Sequence, residues 1–439
     1  MTAIGYIDLD TAPVTAAPAR FPGMGRFAPL AGPTIAADGT VLLGTVEGKV
    51  WGLHPDGRPF WNRQLPHPQG IMTPGAVGAD GSAYFVGQWR ARDHRDGTTH
   101  MTYFAALHRF TPGGGVLAAG GVAFPDWGRG PRLVGAPSVW QFGGVEAIII
   151  PAVYAGVGPD RLRLLAFSPS GQIIGDWSQT LTSEVTGGGW GDWWALLDWL
   201  GSSFEPGRFL PPTAPPMPGV AISVNPQGGT PFVVLVDSFF RQTIAFTLAT
   251  GTGSSPPPGF IERVRRSHAP HTLLSGAVVA PETNQAVVGV DDGVVFGGPS
   301  GVNRRPLTGL GDVYTTPTIT ADGRVVVVSV GGEVIGLRAG SRLSRVFLGG
   351  STIARVAATR NYTYACTTSG LFTLDAAAET RVASYPLTGA GVWSPAVGPQ
   401  RHIYVIADHV LHVFPPLRRL PRRPRGGGTG SVGDVGPPL

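Results

Sequence analysis

One cysteine, Cys366, and one lysine, Lys49, stand among 439 residues. A lone cysteine excludes an internal disulfide framework and any multi-cysteine metal site. Its setting, Tyr364-Ala365-Cys366-Thr367, reads as a small thiol buried mid-strand. A lone lysine leaves Schiff-base or pyridoxal chemistry with Lys49 only, and the repeat described below puts that residue in a hairpin turn. Long apolar runs are also missing. The longest, around Ala147 to Val157, is interrupted by Pro151 and is too short to span a bilayer. Residues 1–10 carry two acids, Asp8 and Asp10, with neither a basic nor an apolar leader region. No secretory signal is read there, so a cytoplasmic location, or a particle assembled in the cytoplasm, is expected.

Charged residues make up only 14% of the chain, whereas Gly (66) and Pro (42) are abundant, which is the composition of a turn-rich all-β protein. The 42% of hydrophobic residues fall in short runs of Val, Ile, Leu, Tyr and Phe, enough to bury a large core. The net charge of +5 invites a nucleic-acid reading until it is located. Arg418, Arg419, Arg422, Arg423 and Arg425 account for all of it. Nucleic-acid contact is therefore expected only through this tail.

Internal repeats are the most informative feature. The clearest copy runs from Gly32 through Asp38-Gly39, Glu47-Gly48 and Pro55-Asp56-Gly57 to Phe60-Trp61. It divides into four strands, A to D, with Gly placed where each tight hairpin needs positive φ. Copies in the same frame begin at Pro74, Pro137, Pro317 and Pro395, and weaker ones lie near Val220, Ser275 and Ala354. A spacing of about 40 residues with alternating apolar positions is that of a four-stranded propeller blade. The sequence here resembles the PQQ-like repeat family, which includes quinoprotein dehydrogenases and the propeller lipoprotein of outer-membrane assembly. The resemblance covers roughly residues 30 to 415 and implies an all-β, eight-bladed β-propeller. It says almost nothing about function.

The final copy stops at Pro415-Pro416 after three strands, so an N-terminal strand is expected to close the ring, and Ala3 to Leu9 is the segment that reads as one. Residues 1–416 are thus expected to form a single propeller, with 417–439 a solvated Pro-, Arg- and Gly-rich tail. Long connections are expected on the face that carries the B–C turns and D–A connections, at Gln88 to Thr102, Ala119 to Val134, Tyr154 to Arg161, Ser178 to Pro218 and Gly251 to His271. Loops on one face of a rigid scaffold are where binding resides.

Two of these segments supply candidate partner-binding residues. The insertion 178–218 holds Trp190, Trp193, Trp194 and Trp199, and Trp193 to Leu200 reads as two turns of helix between Asp192 and Gly201, too short to be stable alone, which either packs on the propeller's own face, docks onto another protein or meets a membrane interface. The blade 2 insertion holds Arg90, Arg92, Asp93, His94 and Arg95. The basic tail residues Arg418, Arg419, Arg422, Arg423 and Arg425 complete the set.

Other motifs dissolve in the repeat. Asp291-Asp292-Gly293 aligns with Glu47-Gly48 and reads as a B–C hairpin turn. His268-Ala269-Pro270-His271 lacks a third metal ligand, and His409 and His412 lie three apart on a strand, on opposite faces. Gly113-Gly114-Gly115 and Gly187-Gly188-Gly189 lack the strand and helix context of a phosphate loop. The resemblance implies calcium, PQQ and paired cysteines for the quinoprotein enzymes, and a single cysteine departs from that pattern. The reading is a non-catalytic scaffold without cofactor or metal that presents its loop-rich face and tail to a protein partner. A subunit of a phage-like particle or other large assembly is one version. The rival is an enzyme, a lyase or hydrolase or a quinoprotein-like dehydrogenase, using Asp93, His94 and neighbouring arginines at the channel mouth.

Overall fold

The computed structural model describes residues 6–7, 14, 17–27, 32–66, 69–95, 98–126, 129–156, 159–181, 219–223, 231–249, 259–297, 306–338, 341–352, 354–387, 394–407 and 409–416. Among these every regular element is a strand, and the strands form eight separate sheets. Blade 1 comprises Thr34–Ile35, Val41–Gly44, Lys49–Leu53 and Pro59–Gln64, paired in antiparallel order. Its A–B turn shows why this sequence reverses here. Asp38 accepts the Thr40 N–H at 2.9 Å and the Thr40 hydroxyl at 3.0 Å, while Gly39 takes a φ of 88° that a side chain would strain. Asp80 repeats the device in blade 2, accepting both the N–H and the hydroxyl of Ser82 at 2.9 Å.

Alternation along the strands explains the packing. Val41 and Leu43 enter the seam with blade 8, whereas Leu42 and Val50 enter the seam with blade 2. Each of the eight hydrophobic clusters straddles one such seam. A blade buried on both faces needs apolar residues at every position, hence the unbroken run Val325-Val326-Val327-Val328 in blade 6. Full burial of each such side chain contributes about 1.5–3 kcal/mol. Polar bolts cross several seams to the C–D turn of the following blade. Tyr404 OH donates to Pro55 O at 2.5 Å, Trp61 Nε1–H to Pro112 O at 3.0 Å and an Arg109 N–H to Pro169 O at 3.1 Å.

The innermost strands touch in cyclic order, so the ring is closed. Blade 8 is built from Ala396–Val397, Ile403–Ala407 and Val410–Phe414 and is completed by an N-terminal strand. That strand is Ala19–Phe21, with Ala19 opposite Val413 and Phe21 opposite Leu411, rather than the expected Ala3 to Leu9. The physical reason lies in Pro18 and Pro22, which flank three residues and hide the strand in the sequence. Proline is tolerated there because strand D is the outer edge. Tyr6–Ile7 instead pairs, in parallel, with Ala357–Thr359, the innermost strand of blade 7.

The distribution of long connections also differs from expectation. In blade 4, Gln242–Ala249 and Gly259–Ser267 are strands C and D. Gly251 to His271 is therefore not an insertion on the B–C face. It consists of a C–D connection on the opposite face, a strand, and a short D–A turn. Blade 4 has no Asp-Gly turn to mark its frame, which is why the sequence misassigns it.

Candidate binding surface

Blade 2 departs most from the ring. Its strands Ala83–Arg95 and Thr98–Phe110 each run 13 residues and stay paired throughout, from Ala83 opposite Phe110 to Arg95 opposite Thr98. Strand A of this blade reaches no farther than Gly70 opposite Gln88. Beyond that point seven residues of strand B, 89–95, continue as a two-stranded ribbon, roughly 20 Å at the rise of an extended chain. The segment expected as a loop is thus a β-arm standing on the B–C face.

The arm is braced. Trp89 and Phe104 stack across the ribbon with centroids 5.3 Å apart and planes 15° from parallel. Alongside lies Arg129–Val134, which pairs with the outer half of Val145–Gly156 in blade 3, from Arg129 opposite Gly156 to Val134 opposite Ala152. Gly130 sits so close to the arm that a Cβ there would come 2.0 Å from the carbonyl oxygen of Tyr103. The Arg132 guanidinium lies 5.9 Å from the Tyr103 ring centroid. Below, Arg163 is buried, ion-paired to Asp176 at 2.6 Å and placed 5.5 Å from the Tyr154 ring centroid.

Arg90, Arg92, Asp93, His94 and Arg95 all lie on this ribbon, in register with Tyr103, Met101, His100, Thr99 and Thr98. Asp93 and His94 are consecutive residues of the same strand, in register with His100 and Thr99. Trp190, Trp193, Trp194, Trp199 and the helix expected over Trp193 to Leu200 lie outside the described residues, as do Arg418, Arg419, Arg422, Arg423 and Arg425. The sequence reading missed the second strand of the arm and its brace. A signal was present: Asp96-Gly97 separates two long runs of alternating character, which is a hairpin signature.

Several polar groups elsewhere among the described residues serve the architecture. His268 hydrogen-bonds Thr243 Oγ1 at 2.9 Å through Nε2, and burial pushes its pKa down to about 4. His108 pairs with Gln69 Oε1 at 2.7 Å and is likewise pushed down to about 4 by burial. Asp237 turns the B–C hairpin of blade 4, accepting N–H groups from Phe239 at 3.1 Å and Phe240 at 3.3 Å and from Gln242 Nε2 at 2.6 Å. Burial raises its carboxyl above the usual range, against those hydrogen bonds, which pull it down. Asp291 and Asp292 form the B–C turn between Gln285–Val290 and Gly293–Gly297. His409 lies in the turn before Val410, where its Nδ1 accepts the Phe27 N–H at 3.3 Å. Among the described residues no three His, Cys, Asp or Glu side chains come together to hold a metal ion, and no helix is long and apolar enough to cross a membrane.

Eight four-stranded antiparallel blades in a ring define an eight-bladed β-propeller. Among solved structures the chain is similar to BamB from Moraxella catarrhalis, at 12% identity and a TM-score of 0.54, over 92% of this chain and 98% of that one. A streptogramin B lyase, at 12% identity and a TM-score of 0.44, covers 90% of this chain and 96% of its own. Virginiamycin B lyase from Staphylococcus aureus, at 12% identity and a TM-score of 0.41, covers 92% and 97%. Identities this low extend the likeness to the fold alone. No protein-family model matches the chain, and no curated protein matches it in sequence.

Proposed function

We propose that this propeller is a non-catalytic binding scaffold that presents its B–C face, and on it the blade 2 arm, to a protein partner. The observation that carries the reading is the 13-residue pairing of strands B and C in blade 2, where blade 1 manages with strands of four and five residues. The ring does not need the excess for closure. An isolated two-stranded ribbon is marginal in water, so the brace from Arg129–Val134 and the Trp89–Phe104 stack hold a shape that the ring itself does not use. A projecting element fixed before contact loses little conformational entropy on binding. Its mixture of Trp, Tyr, Phe, Met and Arg positions is the composition enriched at protein interfaces.

Trp190, Trp193, Trp194 and Trp199 enter the chain between blades 3 and 4 and are proposed as further contacts, as is the arginine-rich tail from Arg418 to Arg425. A subunit of a large assembly, a phage-like particle among them, is the concrete form of this reading. The test replaces residues 89–104 by Asn-Gly. The shortened protein is expected to keep its melting temperature to within a few degrees while losing a stoichiometric partner captured by the full chain. Capture of the same partner at the same yield contradicts the proposal.

A further inference from the structure

Three described pieces of the N-terminal segment, Tyr6–Ile7, Val14 and Ala19–Phe21, attach to the ring at its inner edge, in a seam and at its rim. Tyr6–Ile7 lies against the axis-facing edge of Ala357–Thr359, with Tyr6 opposite Ala358 and Ile7 opposite Thr359. The other edge of Ala357–Thr359 is taken by Tyr362–Thr367 of the same blade. Outward from there Val14 is buried in the seam between blades 7 and 8, with Tyr364, Cys366, Val405 and Phe414 in the same cluster. Its N–H donates to Thr373 Oγ1 at 3.2 Å. The chain then reaches the rim as Ala19–Phe21, strand D of blade 8.

These attachments differ in kind. Ala19–Phe21 completes a blade, and Val14 fills a seam, so both belong to the closed ring. Tyr6–Ile7 adds a fifth strand to a blade that already has four. An innermost strand offers an unpaired row of N–H and C=O groups to the channel, and an extended peptide satisfies such a row by strand addition, with the main chain supplying affinity. Among the described residues no other blade carries an added strand on its axis-facing edge.

We propose that the axis-facing edge of Ala357–Thr359 is a peptide-binding site of the strand-addition kind, and that the chain's own N-terminal segment occupies it reversibly. The occupant pairs in parallel with the receiving strand, and only six residues of sequence separate it from Val14, which is fixed in its seam. A tether this short holds it at an effective concentration in the millimolar range, so a competing peptide acts only at similar concentration.

Cross-linking in the full chain tests this. The Tyr6→Cys/Ala358→Cys variant is oxidised and its intramolecular disulfide followed by mass spectrometry, and Tyr6→Cys/Ser138→Cys, across the ring in blade 3, serves as control. The native Cys366 is buried and its thiol pKa is raised by burial, which keeps it out of exchange. The 6–358 pair is expected to close and the 6–138 pair to stay open. A synthetic peptide of residues 1–12 at millimolar concentration is expected to slow closure at least two-fold, and the same peptide carrying Ile7→Pro to leave it unchanged. Failure of the 6–358 pair to close, or closure indifferent to the wild-type peptide, overturns the proposal.

Discussion

Arg20 and His412 stand opposite each other in the ladder that closes the ring. His412 is 4% exposed and neither of its ring nitrogens has a hydrogen-bond partner, while Arg20 is exposed on the closing strand. Burial first, and the Arg20 charge second, hold the imidazole pKa below its ordinary value. The last seam of the propeller therefore contains a histidine that the fold keeps neutral.

Three seams share this property, which makes stability depend on pH with a definite sign. His108 and His268 titrate near 4 in the fold against 6.5 in the free side chain, and His412 is lowered in the same direction. The unfolded chain binds these protons first. Their contribution is complete above about pH 6.5 and is lost as pH falls towards 4, with about 3 kcal/mol at stake for each of His108 and His268. Melting temperature measured from pH 7 to 4.5 should fall, and less steeply in a His108→Gln/His268→Gln variant. A flat profile, or one with the same slope in the variant, contradicts this assignment.

Two N-terminal deletions separate the channel strand from the closing strand. Removing residues 1–12 leaves Val14 and Ala19–Phe21 in place and should yield a monomer with nearly native melting. Removing 1–22 exposes the edge of Val410–Phe414 and takes Phe21 from its seam, at a cost on the order of 3 kcal/mol or more and with aggregation. Size exclusion and thermal melting of both decide the matter. Equal damage from the two deletions would mean that residues 1–12 close the ring after all.

Gly52 and Trp61 give a coupled pair in blade 1. A Cβ at Gly52 would come 2.1 Å from the Trp61 indole, whose Nε1–H holds Pro112 O. Gly52→Ala should cost more than about 2 kcal/mol with Trp61 present and markedly less in a Trp61→Leu background, a coupling of about 1 kcal/mol or more in chemical denaturation. Additive effects would show that the indole does not need the space over Gly52.

The blades were legible in the sequence wherever a side chain makes the turn. Asp38 and Asp80 bind the residues two positions on, and Gly39 and Gly81 supply the positive φ, so blades 1 and 2 could be framed from residues alone. Blade 4 turns on Asp237, whose partners Phe239 and Phe240 make no such signature, so nothing in its sequence marks which face carries the C–D connection. The closing strand was lost between Pro18 and Pro22, because proline punctuates a sequence whether or not the fold tolerates it at an edge. Of the candidate site, the charged residues of the arm were found. That they stand on strands rather than in a loop is shown by the pairing of 89–95 with 98–104, and the brace Arg129–Val134 is brought alongside only by the three-dimensional fold.

Amide hydrogen exchange of the full chain, alone and with the partner it captures, tests the proposed docking face most directly. New protection is expected at residues 89–95 and 98–104, with the A–B and C–D turns at Asp38-Gly39, Asp56-Gly57 and Asp322-Gly323 unchanged. Protection confined to those turns, with the arm exchanging as in the free protein, would contradict it.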